Sequence, residues 1–107
     1  MPFFSTQQID IGNLYNGGAK AIDIVRQYPG RFLSMHVKDE IKATDGGDHE
    51  YESTILGKGI VGSKEVADLG RKSGGTRHFI VEQESYQGKT PMECMKENYA
   101  IMKKWGY

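Results

Sequence analysis

Apolar and polar positions alternate with a period of two in three short stretches of this chain, and recur with a period near 3.6 in the segments that follow them. In Phe32-Leu33-Ser34-Met35-His36-Val37-Lys38-Asp39 the alternation sets Leu33, Met35 and Val37 on one face and Ser34, His36 and Lys38 on the other. Gln8-Ile9-Asp10-Ile11 and His78-Phe79-Ile80-Val81-Glu82 repeat the pattern, grouping Gln8 with Asp10 and His78 with Ile80 and Glu82. One face of each strand asks for a core. The other ends on a ligand-grade side chain: Asp10, His36 or Glu82.

Between these strands the pattern changes. Ala21, Ile24, Val25 and Tyr28 form the apolar stripe of a helix that ends at Pro29-Gly30. Ser63 is placed to cap a second helix, which carries Val66, Ala67 and Leu69 and stops at Ser73-Gly74-Gly75. Thr90, Pro91 and Glu93 combine an N-cap, a proline at the first helical position and a capping-box glutamate, and so predict a third helix running to Gly106. Two stretches read as loops: Gly12 to Gly18, and a long glycine-rich connection from Asp39 to about Gly62. Residues 1–6 read as a loose arm, and 7–107 as one domain.

Strand and helix therefore alternate three times, which implies a parallel sheet with the catalytic end at the C-termini of its strands. A (β/α)8 barrel takes about 250 residues, so three units would take about 94. The expected fold is α/β: a partial TIM barrel of three consecutive βα units. An open sheet covered on both faces would want apolar residues on both, and Gln8, Ser34 and His78 argue against it.

Composition narrows the partners. Acidic and basic residues number 14 each, so the broad positive field of a nucleic-acid binder is missing. No apolar run reaches membrane-span length, and the single Cys94 permits no internal disulfide. The expectation is a cytoplasmic protein that binds neither nucleic acid nor membrane, with Cys94 a small buried residue in its helix.

Ile9-Asp10-Ile11-Gly12-Asn13, Met35-His36-Val37-Lys38-Asp39-Glu40, Leu56-Gly57-Lys58-Gly59 and Ile80-Val81-Glu82-Gln83-Glu84 together resemble the last three βα units of the xylose-isomerase-like sugar phosphate isomerase/epimerase superfamily. The resemblance implies a metal at the barrel mouth, held by Glu, Asp, His and Glu from separate strands. Asp10, His36 and Glu82 match the last three of these; the first Glu would belong to an earlier strand that this chain lacks. Asn13 departs from the substrate-contacting His that related epimerases often place there. By the same resemblance Asn13, Lys38 and Tyr86 are the substrate-binding candidates, with Lys38 facing a phosphate or oxyanion and Tyr86 closing over a sugar ring.

An imidazole with carboxylates suits Mn²⁺, Co²⁺, Mg²⁺ or Zn²⁺. Such an ion polarises a carbonyl and its neighbouring hydroxyl, and Glu82 is the catalytic candidate for removing the adjacent carbon-bound proton. Each residue also has a plainer reading. Asp10 could organise a turn at Gly12-Asn13, Lys38 to Glu40 could be a solvated strand end, and His49 and His78 read as non-ligands. Two functions follow. One is a metal-dependent isomerase or epimerase acting on a small sugar or sugar phosphate, completed as a homodimer or higher homo-oligomer. The other is a catalytically inactive truncated barrel serving as a metal- or sugar-binding or interaction module.

Overall fold

The computed structural model describes residues 7–43 and 50–107; the arm at 1–6 and His49 lie outside them. In chain order it runs β1 (Gln7–Asp10), α1 (Ile11–Asn16), α2 (Ala21–Gln27), β2 (Phe32–Val37), β3 (Asp39–Lys42), β4 (Tyr51–Thr54), α3 (Ser63–Leu69), a π-helical turn (Gly70–Gly74), β5 (His78–Val81) and α4 (Pro91–Lys104). Three strands make one parallel sheet in the order β1-β2-β5, and β3 pairs antiparallel with β4 in a separate hairpin. The protein is a mixed α/β fold whose parallel strands lie side by side in chain order.

Alternation places the core as expected. Ile9, Met35 and Val37 are buried on the helix-facing side with Val25, Val66, Ala67 and Met102, and Phe79 and Val81 are half-buried against them. Full burial of a side chain such as Met35 or Val25 is worth ~1.5–3 kcal/mol. Leu33 differs from expectation: near the start of its strand it stays exposed while Phe32 is buried.

Two segments read as loops are ordered elements. Ile11–Asn16 is a short helix, because Oδ1 of Asp10 accepts the N–H groups of Gly12 and Asn13 and so satisfies donors that a helix start leaves unpaired. Much of the long connection folds as the β3–β4 hairpin. It leaves the sheet at Asp39, and at the far side Ser53 Oγ accepts the N–H groups of Glu84 and Ser85 at 2.6 and 2.8 Å. The hairpin therefore braces the segment that follows β5.

The helices close the other layer. Ser63 is the first residue of α3 and not its cap: its hydroxyl donates to the Lys38 carbonyl at 2.8 Å, while Gly62 takes the cap position. The π turn ends at Gly75, whose φ of +77° favours glycine, and Thr76 then donates its hydroxyl to the Phe32 carbonyl at 2.6 Å. Helix α4 starts with the expected capping box between Thr90 and Glu93. It is tied back by Asn98, which accepts from the Leu56 N–H at 3.0 Å and donates to Gln83 Oε1 at 2.8 Å. Cys94 is buried in this helix.

Candidate metal centre

Register brings the strand ends together. Asp10 of β1 sits opposite His36 of β2, His36 opposite Ile80 of β5, and the N–H of Glu82 donates to the Val37 carbonyl at 3.0 Å. Side chains alternate, so Asp10, His36 and Glu82 project from the face opposite the core, across adjacent strands. His36 Nδ1 is 3.0 Å from Glu82 Oε2 and 3.7 Å from Asp10 Oδ2. One donor atom from each of the three lies within 4.8 Å of the others. Around an ion with ligands at about 2.0–2.2 Å, neighbouring donors stand about 3 Å apart and opposite ones about 4 Å. Two carboxylate oxygens and an imidazole nitrogen at these separations fit a divalent cation after a small closure.

Each of the three has its other atoms engaged, which fixes how it points. Asp10 divides its carboxylate: Oδ1 caps α1, as the turn-forming reading expects, and Oδ2 faces the cluster. The Gln8 amide contacts His36 Nε2 on the side away from Glu82. A primary amide can present either its N–H or its oxygen to that nitrogen. Gln8 therefore supports the imidazole with the proton on Nδ1, donating to Glu82, or on Nε2, leaving Nδ1 free for an ion.

Lys38, expected on the His36 face as a substrate-binding side chain, is paired with the carboxylates of this cluster. Its side chain is only 3% exposed, and Nζ lies 3.4 Å from Asp10 Oδ2, 3.1 Å from Glu82 Oε1 and 2.9 Å from Glu84 Oε1. Burial alone would lower its pKa, but hydrogen bonds to Glu84 and Glu82 and the charge of Asp10 outweigh it and hold the ammonium above the ordinary lysine range. The pattern supports this: Lys38 is two residues past His36, hence on the same face, and Glu82 and Glu84 follow the end of the neighbouring strand. The stem of Lys38 runs against α1. A Cβ on Gly12 would come within 2.5 Å of Lys38 Cδ and 2.8 Å of Glu40 Oε1.

The other substrate-binding candidates stand differently. Asn13 is exposed beside the cluster, and its backbone N–H caps onto Asp10. The Tyr86 hydroxyl donates to the Gln83 carbonyl at 3.0 Å, and its ring lines an apolar groove of about 650 Å³ with Phe79, Val81 and Met95 between β5 and α4. Neither is among the side chains drawn together at Asp10, His36 and Glu82. His78 is exposed at the opposite end of β5, away from the cluster, as expected.

The chain matches no protein-family model, and no curated protein resembles it closely enough to count as a relative. Among the described residues no helix is long and apolar enough to cross a membrane.

Proposed function

We propose that this protein is a divalent-metal-dependent isomerase or epimerase of a small sugar or sugar phosphate, built on three βα units of a barrel of the xylose-isomerase-like kind. The observation that carries the reading is the convergence of Asp10, His36 and Glu82, from the C-terminal ends of three adjacent parallel strands, within 4.8 Å. Catalytic groups gather at that end of such sheets because the connections there can vary over a fixed scaffold.

In this reading Asp10, His36 and Glu82 would hold Mn²⁺, Co²⁺, Mg²⁺ or Zn²⁺. When bound, the ion supplies Lewis-acid polarisation of a carbonyl and its neighbouring hydroxyl. Glu82 would take the proton from the hydroxyl-bearing carbon beside the carbonyl, leaving an enediolate; the hydroxyl proton passes to the former carbonyl oxygen, and Glu82 returns its proton at the former carbonyl carbon. Lys38 Nζ lies 3.1 Å from Glu82 Oε1 and helps to fix how that carboxylate points before an ion enters. Glu84, joined to the cluster through Lys38, is the further carboxylate available at the mouth. A homo-oligomer would supply the opposite wall, and with it a second acid/base for inversion on the other face of a sugar.

Titration with Mn²⁺ or Co²⁺, followed by calorimetry, tests the ligand set. The wild-type chain should bind one ion, and His36→Ala should bind at least about tenfold more weakly. Equal affinity in the two would remove His36 from the site. Aldose–ketose interconversion, assayed across pentoses, hexoses and their phosphates, tests the chemistry. Metal binding without turnover by any assembly would favour the inactive binding module.

A further inference from the structure

The proposed ligands already hold a cation. Lys38 Nζ is 3.4 Å from Asp10 Oδ2 and 3.1 Å from Glu82 Oε1, so two of the three residues that would hold a metal are shared with a buried ammonium. Asp10 has no spare oxygen, because Oδ1 is committed to the start of α1. An ion on Asp10 Oδ2 must therefore take an oxygen that Nζ now faces. Two like charges on one carboxylate repel strongly where water is scarce, and the Lys38 side chain is almost wholly buried. Its stem has little freedom, packed against the backbone of α1 at Gly12.

One direction is open to the ammonium. Glu84 Oε1 is its nearest partner at 2.9 Å, and the Glu84 side chain is 73% exposed, on the solvent side of the cluster. We propose that Lys38 is the resident cation of this site, exchanging with the metal: it balances Asp10, Glu82 and Glu84 when no ion is bound, and withdraws onto Glu84 when one enters. This inference deepens the metal reading and rests on it. Lys38 then sets the affinity of the site, keeping it low enough that an ion binds only when offered in excess. Glu84 acts as a positioning residue for Lys38 and not as a ligand.

Mn²⁺ titration of four folded variants tests the exchange. Lys38→Met should bind at least about tenfold more tightly than wild type, and Lys38→Arg should not, because it keeps the charge. Glu84→Gln should bind more weakly than wild type, since the ammonium then has only Asp10 and Glu82 to pair with. The double variant Lys38→Met/Glu84→Gln should bind like Lys38→Met alone. Should Lys38→Met fail to fold, the wild-type protein provides the readout: the ¹⁵Nζ resonance of Lys38 should move when diamagnetic Zn²⁺ is added. Equal affinities in wild type and Lys38→Met, or an unmoved ¹⁵Nζ signal with Zn²⁺ bound, would overturn the exchange and leave the metal reading standing. A Glu84→Gln effect that persists without Lys38 would make Glu84 a ligand and would also overturn it. Binding by Lys38→Met but not by wild type supports the exchange while defeating the native metal reading. Absence of binding in every variant defeats both.

Discussion

The carboxylate of Asp39 accepts the backbone N–H of Gly59 at 3.0 Å, and the same side chain also takes those of Glu40, Gly57 and Val61. Asp39 is 1% exposed, so one buried side chain satisfies its neighbour's N–H in β3 and three backbone donors of the chain entering α3. Asp39→Asn puts an amide nitrogen where two donors converge. It should destabilise the fold by about 3 kcal/mol or more, read as a lower denaturant midpoint with unchanged slope. A loss under about 0.5 kcal/mol would mean that water replaces the carboxylate.

Gly12→Ala is expected to reach the cluster indirectly. The added methyl would crowd Lys38 Cδ and Cγ, at 2.5 and 2.9 Å, so the stem of Lys38 must shift. We expect a cost of about 1–3 kcal/mol and altered ion binding with Asp10, His36 and Glu82 intact. Wild-type stability and unaltered Mn²⁺ affinity together would show that the stem is free to move aside.

Asp68 gives the pH dependence a defined sign. Hydrogen bonds from Lys64 and from the Tyr107 hydroxyl hold its carboxyl below the ordinary value of 3.8. A carboxylate with a lowered folded pKa adds stability above the unfolded value and loses it as pH falls below. With the Asp68 side chain 37% exposed, solvent screening limits the gain to about 1 kcal/mol or less. Wild type should therefore exceed Asp68→Asn in thermal stability at neutral pH, and the difference should close as pH drops below 3.8. A constant difference across that range would assign the effect to packing of Tyr107 instead.

Assembly follows from the sheet. Strands β1 and β5 are its two edges, and among the described residues neither pairs on its outer side. Met95 and Tyr99 of α4 and Ile80 of β5 are exposed. A symmetric homo-oligomer, most simply a dimer, should form, with mass rising with concentration in light scattering. A monomer at every concentration would remove the partner subunit as a source of the second carboxylate.

The main strands and longer helices were legible in the sequence because their apolar residues face one core. Met35 and Val37 announce β2, and Thr90-Pro91-Met92-Glu93 announces α4. The β3–β4 hairpin was not legible, since Glu52, Ser53 and Thr54 are buried by polar pairing and leave no apolar alternation to read. Helix α1 was hidden because Gly12 and Asn13 look like a turn until the Asp10 carboxylate is seen capping them. At the site, the two-residue period and the strand–helix order, with the family resemblance, were enough to foresee the meeting of Asp10, His36 and Glu82. Lys38 was expected on this face, but not its burial among three carboxylates, because a lysine at a strand end ordinarily reaches into water.

The Ser53 hydroxyl, which takes the N–H groups of both Glu84 and Ser85, makes one side chain answerable for two backbone amides far along the chain. Gln87 adds bonds to Glu52 and to the Ser53 carbonyl, so the hairpin and residues 84–87 are clasped at several points. Segments joined in this way tend to open as one unit. Amide hydrogen exchange at positions 84 and 85 should then keep pace with exchange in the hairpin. The timing of access to the carboxylate of Glu84 would thus be set by a two-stranded ribbon outside the parallel sheet.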